Sequence, residues 1–265
     1  MTARGEERGE GALLTVEDAG HRYGERFGCR GVSFDLWPGE VLAIVGESGS
    51  GKSTLLGMLS QRLSTDEGAI RYRTAEGREV ELASLSDREV RTLWRTEWGF
   101  VHQNPADGLR MHVSAGGNVG EPLMATGWRH YGRIRERALE WLGKVEIPLD
   151  RVDDPPTTFS GGMRQRLQIA RNLVVSPRLV LMDEPTSGLD VSVQAAVLDL
   201  IRGLVADLGL AVVIVTHDLA VARLISHRTM VMKDGAVIES GLTDRVLDDP
   251  QAAYTQLLVA SILQG

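Results

Sequence analysis

Residues 46–53 combine three glycines, a lysine and serines in an order that suits phosphate binding. The run reads Gly-Glu-Ser-Gly-Ser-Gly-Lys-Ser and fits the pattern G-x-x-x-x-G-K-[ST]. Glycines let backbone N–H groups approach phosphates closely, Lys52 can reach the β and γ phosphates, and the Ser53 hydroxyl can bind Mg²⁺. The residues predicted to contact nucleotide are Gly46, Glu47, Ser48, Gly49, Ser50, Gly51, Lys52, Ser53 and Thr54. The sequence therefore predicts a nucleoside triphosphate site.

Two adjacent carboxylates, Asp183 and Glu184, follow four apolar residues at 179–182. At the carboxyl edge of a parallel sheet, beside a phosphate loop, Asp183 would hold Mg²⁺ and Glu184 would polarise the water that attacks the γ-phosphate. Two such acids can also be plain helix N-terminal charges. The upstream phosphate loop favours the catalytic interpretation.

The elements around these residues suit that geometry. A strand-like run at 41–45 precedes the loop, and a helix-like run at 54–59 follows it. Apolar runs at 179–182 and 211–216 alternate with helical patterns at 163–174 and 192–208, which is typical of parallel strands covered on both faces. Further expected elements are strands at 13–16, 31–36, 69–73 and 98–102, a helical stretch at 119–145 and an apolar helix at 254–263.

Bulk composition excludes several classes of function. The chain has 265 residues, 43% of them apolar, and a net charge of -7, so no overall field attracts nucleic acid. No apolar run approaches the roughly 20 residues of a membrane span, and the first ten residues are unlike a signal peptide. We therefore expect a cytoplasmic protein without direct membrane insertion. The single cysteine, Cys29, excludes an intrachain disulfide and predicts a small buried filler.

A further motif lies between the loop and the acids: residues 159–166 read Phe-Ser-Gly-Gly-Met-Arg-Gln-Arg. A serine and two glycines at a helix start offer a hydroxyl and backbone N–H groups to an anion. This run resembles the signature sequence of ABC-type ATPases, with methionine at position 163 where glutamine is usual. The other family elements occur in the expected order. The residues that carry this resemblance are Tyr23, Gln103, Ser160, Gly161, Gly162, Asp190 and His217.

The resemblance implies an α/β fold, an ABC-type P-loop ATPase domain. Its parts would be a mostly parallel core sheet, an antiparallel β subdomain and a helical signature subdomain. Domain bounds are expected at 1–12 for a flexible N-terminus and 13–265 for the ATPase, with the helical subdomain near 104–172 and a C-terminal extension near 241–265.

The resemblance also implies roles for individual residues. Tyr23 would stack on adenine and Gln103 would sense the γ-phosphate and Mg²⁺, while His217 would act as the switch histidine. Catalysis would involve Glu184, His217 and Gln103, and Mg²⁺ would be held by Ser53, Gln103 and Asp183. ATP would then lie in a head-to-tail homodimer, with Ser160 and Gly162 of one copy covering the nucleotide of the other.

Several stretches favour a particular subfamily. They are residues 101–110, 113–121, 154–159, 188–194 and 241–250, which are similar to the K-subunit family of the carbon-phosphorus lyase system. That family works with soluble core subunits in phosphonate catabolism. Two alternatives stay open: an ATP-binding subunit of an oligopeptide or nickel importer, which would partner permease subunits, and an assembly module that uses ATP only to hold a dimer together. The docking surface is expected at 113–121.

Overall fold

The computed structural model describes residues 11–262, so the predicted flexible N-terminus lies almost entirely outside the described residues, as do residues 263–265 of the C-terminal extension. The strands within the described part are β1 Leu14–Tyr23, β2 Arg26–Leu36, β3 Val41–Val45, β4 Glu67–Arg73, β5 Glu79–Glu81, β6 Trp98–Val101, β7 Leu179–Asp183, β8 Ala211–Thr216, β9 Arg228–Lys233 and β10 Ala236–Leu242.

The α-helices of the same part of the chain are α1 Lys52–Leu59, α2 Asp87–Thr96, α3 Pro105–Gly108, α4 Ala115–Ala125, α5 Tyr131–Lys144, α6 Gly161–Leu173, α7 Val191–Leu208, α8 Leu219–Ile225, α9 Thr243–Asp248 and α10 Ala253–Ile262. Short 3₁₀ turns occupy Leu82–Ser84, Leu149–Arg151 and Pro156–Thr158.

The central sheet has the strand order β10-β9-β3-β8-β7-β6. The pairs from β9 to β6 are parallel, and only β10 joins this sheet antiparallel to its neighbour. A second sheet has the order β2-β1-β4-β5 and is antiparallel throughout its pairs. The predicted fold class, a mostly parallel core sheet with an antiparallel β subdomain and a helical part, is confirmed.

The central sheet is covered on both faces because its strands are apolar on both sides. Along β3, Val41, Ala43 and Val45 pack into one core together with α5, α6 and α7, whereas Leu42 and Ile44 pack into a second core beneath the antiparallel sheet. Alternate side chains of a strand point to opposite faces, so a continuous apolar run feeds two cores at once. Burial on both faces fixes the position of each strand along the sheet, and so the position of the residues at its end.

Most expected elements are confirmed, and one expectation needs correction. The helical stretch predicted at 119–145 is two helices, because the chain leaves α4 at Thr126 and passes through Gly127 with a φ of 103° before α5 begins. The structure also contains elements that the sequence did not predict, namely β5, α2, α3, α8, β9, β10 and α9. Helix α2 starts at a capping box in which Ser86 and Glu89 satisfy each other's backbone N–H groups.

Cys29 lies on β2 and is fully buried, as predicted for a filler. Burial raises the pKa of its thiol to about 11. A thiol in this state holds its proton at neutral pH and is a poor nucleophile. No chemistry therefore needs to be assigned to it.

Candidate active site

The phosphate loop connects the end of β3 to the start of α1, and two of its glycines, Gly46 and Gly51, are required by the local packing. Gly46 has a φ of 150°, and a Cβ atom there would collide with the backbone oxygen of Met232. Gly51 has a φ of 100°, and a Cβ atom there would lie 2.5 Å from the backbone oxygen of Gly28. Non-glycine residues would therefore push the loop away from β2 and β9.

Lys52 begins α1 and is almost fully buried beneath the loop. Its ammonium donates hydrogen bonds to the backbone oxygens of Gly46 and Glu47, each at 2.8 Å. Burial lowers the pKa of Lys52, while the nearby Glu184 and Asp183 carboxylates oppose that shift. The loop thus surrounds a desolvated positive charge, which suits an anionic ligand.

The acids lie beside this loop because of the strand order. β7 pairs with β8 and β8 pairs with β3, all parallel, with Asp183 opposite Val215 and Val45 opposite Thr216. The carboxyl ends of all three strands therefore meet at one edge of the sheet. In open parallel sheets this edge is where ligands bind.

Asp183 is partly buried at the end of β7. Burial and the neighbouring Glu184 raise the pKa of Asp183, and Lys52 and Arg62 counteract the rise in part. The carboxylate is consequently held in an environment that favours neutralisation by a proton or by a cation. Its ionisation costs folding energy in the absence of such a cation.

Asp183→Asn is expected to raise the melting temperature of the nucleotide-free protein by about 2–4 °C at pH 7 while ATP turnover with Mg²⁺ collapses. The folded-state pKa of Asp183 lies above its usual range, so ionisation destabilises the fold as pH rises through the folded pKa. The gain should therefore shrink as the pH approaches 4. Differential scanning fluorimetry measures it, with the exposed Asp150→Asn as control, and an unchanged or lower melting temperature contradicts the prediction.

Glu184 adopts a strained backbone and sits between two polar side chains. Its φ is 42°, in the left-handed region that disfavours residues other than glycine. One carboxylate oxygen lies 2.9 Å from Nδ1 of His217, and the other accepts a hydrogen bond of 3.2 Å from Nε2 of Gln103. The structure thus brings together the three residues predicted to act in catalysis, from three different loops.

The donor set at this edge suits Mg²⁺. Ser53, Asp183 and Gln103 offer a hydroxyl, a carboxylate and an amide oxygen, and Mg²⁺ prefers oxygen ligands and usually takes one or two carboxylates together with phosphates and waters. Among residues 11–262, no group of three or more His, Cys, Asp or Glu side chains could hold a metal alone.

The signature residues form a separate, exposed site at the start of α6. Ser160 caps this helix by accepting a hydrogen bond of 3.3 Å from the Met163 N–H, and both Ser160 and Gly161 are exposed. Gly162 is buried, and a Cβ atom there would collide with Val193 in the first turn of α7. The helix start therefore offers free backbone N–H groups and a hydroxyl at the surface.

Asp190 and Tyr23 occupy the margins of the two sites. Asp190 is exposed and precedes α7, beside Leu189, whose side chain lies next to Gly161. Tyr23 ends β1, exposes 55% of its surface, and lies against Gly28, as does Thr54 of α1. Tyr23 therefore stands near the phosphate loop with much of its ring accessible.

Two contacts at the site were not anticipated. Gln103 also donates a 3.2 Å hydrogen bond to the hydroxyl of Ser187, and Gln194 donates one of 3.1 Å to Asp218, next to His217. The first bond connects the loop after β6 with the segment before α7, and the second connects the first turn of α7 with the loop after β8. No spacing in the sequence indicates them, because their partners come from separate loops.

The comparisons agree with this geometry. The sequence model of the ABC transporter family matches residues 29–187. The putative phosphonates utilization ATP-binding protein PhnK of Escherichia coli strain K12 is 66% identical over 253 residues, which cover 96% of this chain and 98% of that protein. The oligopeptide transport ATP-binding protein OppD of Bacillus subtilis is 36% identical over 256 residues, covering 94% of this chain and 72% of that protein.

Solved structures lead to the same family. The dimeric post-hydrolysis structure of the ATP-binding cassette MJ0796 bound to ADP and Pi has a TM-score of 0.76 at 31% identity, covering 87% of this chain and 99% of that one. Within residues 11–262 no helix has the length and apolar character needed to cross a membrane. The chain belongs to the ABC transporter family and is an ATP-binding cassette that hydrolyses ATP.

Proposed function

We propose that this chain is the ATP-hydrolysing subunit of a carbon-phosphorus lyase system that works in phosphonate catabolism. The observation that carries the proposal is the 66% identity, over almost the full length of both chains, to a protein named for phosphonate utilization. The carbon-phosphorus bond would be broken in another subunit. Within the described residues, this chain offers phosphate and nucleotide chemistry and one inert cysteine.

The residues at the sheet edge divide the work of hydrolysis. On ATP binding, Lys52 exchanges its bonds to the backbone oxygens of the loop for phosphate oxygens. Ser53, Asp183 and Gln103 would hold Mg²⁺, which would supply positive charge to balance that of the phosphates. Glu184 accepts a proton from the attacking water, and His217 keeps the Glu184 carboxylate in place. Tyr23 stacks on the adenine ring.

The signature residues complete the site of a second copy. Ser160 and Gly161 are exposed at the start of α6, and so is Asp190 before α7. In a head-to-tail homodimer, Ser160, Gly161 and Gly162 of one protomer cover the γ-phosphate bound by its partner, so nucleotide holds the two copies together. The relative MJ0796 is dimeric, which supports this arrangement. Loss of the γ-phosphate then weakens the closed dimer and releases work to a partner.

The proposed docking surface, residues 113–121, is easier to test at its Arg110 flank than at Glu121. Glu121 forms ion pairs with both Arg110 and Arg171, the latter at 2.8 Å. Burial alone would raise the pKa of Glu121, but the hydrogen bonds and charges of Arg171 and Arg110 hold it below its usual range. Charge reversal at Glu121 would therefore disturb α6, so Arg110→Glu is the cleaner docking variant.

Affinity capture of the tagged protein from cells grown on phosphonate is expected to recover soluble phosphonate enzymes. Recovery of a membrane permease pair would contradict the proposal and favour transport. The Arg110→Glu variant should bind ATP normally and recover less of the soluble partner, since the substitution changes an exposed charge outside the nucleotide site. The exposed Arg202→Glu on α7 serves as a matched control.

A peptide importer is the second candidate. Its support is the 36% identity to OppD across nearly the whole chain. The two functions share the same hydrolytic site and differ only in the partner. Their ATPase rates separate them, because soluble core subunits should stimulate a lyase subunit and should leave an importer subunit unchanged.

A further inference from the structure

The C-terminal helix α10 reaches the phosphate loop. The hydroxyl of Tyr254 accepts a hydrogen bond of 3.3 Å from the backbone N–H of Glu47, the second residue of the loop. The Tyr254 ring also lies beneath the ammonium of Lys233, 4.7 Å from the ring centroid. The side chain is therefore fixed between the end of β9 and the loop.

The start of α10 is itself anchored to β10. The two carboxylate oxygens of Glu239 accept hydrogen bonds from the backbone N–H groups of Gln251 and Ala252, at 2.9 and 3.0 Å. Burial alone would raise the pKa of Glu239, but these bonds hold it below the usual range. The carboxylate is thus ionised at neutral pH, and its charge-assisted bonds set the position of Tyr254.

The opposite end of the loop rests on the turn between β9 and β10. The Gly235 N–H donates a 3.1 Å hydrogen bond to the Ser50 backbone oxygen, and the Gly235 oxygen accepts one of 2.8 Å from the Arg30 N–H. The loop is therefore held near Ser50 by a backbone hydrogen bond and near Glu47 by the hydroxyl of Tyr254. Because the second contact comes from a side chain, a substitution can remove it without disturbing the backbone contact at Ser50.

We propose that Tyr254 is a positioning residue for nucleotide binding. By holding the Glu47 N–H, it keeps the first half of the phosphate loop in the conformation that receives phosphate. Without this hydrogen bond, ATP binding must also order the segment, and the free-energy cost of that ordering lowers the affinity for ATP. The affinity for nucleotide then depends on how well the contacts of residues 239–254 hold Tyr254 against the phosphate loop. The inference rests on ATP binding by this family member and is independent of the proposed partner.

Tyr254→Phe is the direct test, because it removes only the hydroxyl. Isothermal titration calorimetry with Mg-ADP should give a Kd about threefold to tenfold higher than that of the unsubstituted protein. The KM for ATP should rise by a similar factor while kcat stays within about twofold. The reason is that the loop binds the ground state and the transition state equally well. Tyr131→Phe, on an exposed tyrosine of α5, is the matched control and should change neither value.

A purely structural role for Tyr254 gives a different result. It would lower the melting temperature and leave the Kd for ADP, measured well below that temperature, within about twofold of the original value. That outcome overturns the proposal. Glu239→Gln supplies the second measurement: it should raise the Kd for ADP in the native background and have little further effect in the Tyr254→Phe background. Additive effects of the two substitutions would also count against the proposal.

Discussion

Glu184→Gln is expected to lower ATP turnover by about 10²–10⁴-fold, because it removes a general base and little else. Glutamine has nearly the same shape, and its amide oxygen can still accept the hydrogen bond from Gln103. Nucleotide binding should therefore survive. Since hydrolysis is what weakens the closed state, the variant should accumulate as an ATP-bound dimer.

Size-exclusion chromatography with ATP and Mg²⁺ measures this accumulation. The variant should elute as a dimer with ATP and as a monomer with ADP, whereas the unsubstituted protein should return to a monomer as ATP is consumed. Glu136→Gln, an exposed glutamate on α5, is the matched control and should behave like the unsubstituted protein. A Glu184→Gln protein that binds ATP yet stays monomeric would falsify the proposed dimer.

Mixing two inactive variants is expected to restore ATP hydrolysis if each site is built from two copies. Lys52→Ala disables the phosphate loop, and Ser160→Arg disables the signature that covers the partner's nucleotide. A mixed dimer then carries one site with both defects and one site with neither. Equal mixing gives half mixed dimers, so about one quarter of the original activity should return if the two sites act independently.

The control for this experiment comes from the structure. Burial lowers the pKa of Lys52, and the charge of the nearby Glu184 carboxylate opposes that shift, so the two residues belong to the same half-site. A mixture of Lys52→Ala with Glu184→Gln therefore leaves each site of the mixed dimer with one defect, and no activity should return. Recovery in this control, or none in the Lys52→Ala and Ser160→Arg mixture despite mixed dimers, contradicts a shared site.

Local features of the fold could be predicted from the sequence. The phosphate loop is eight consecutive residues, and its strand and helix follow directly on either side, so β3 and α1 could be predicted from adjacent letters. Strand β8 was predicted with the bounds that it has, since a continuous apolar run between helices admits few alternatives. The family resemblance rests on similarly local motifs, and the comparisons confirm it.

Some elements that the sequence did not predict nevertheless carry a local sequence signal. Helix α2 begins with Ser86 and Glu89 at capping-box spacing, and the turn between β9 and β10 contains Asp234 and Gly235, a dipeptide typical of hairpins. The break at Gly127 similarly marks the end of α4. These signals are weaker than the apolar runs because they act through one or two residues, and tertiary packing can override them.

The sequence by itself determined the chemistry available to this chain: a phosphate loop, a pair of acids after a buried strand and a signature turn. Only the tertiary structure decided which of these groups meet. Strand order brings Asp183 to the phosphate loop, and a left-handed backbone at Glu184 sets its carboxylate between Gln103 and His217. The contact of Tyr254 with Glu47 joins residues 207 positions apart. Contacts between residues so far apart in the sequence depend on the order and relative positions of the strands in a packed sheet, which local sequence patterns do not encode.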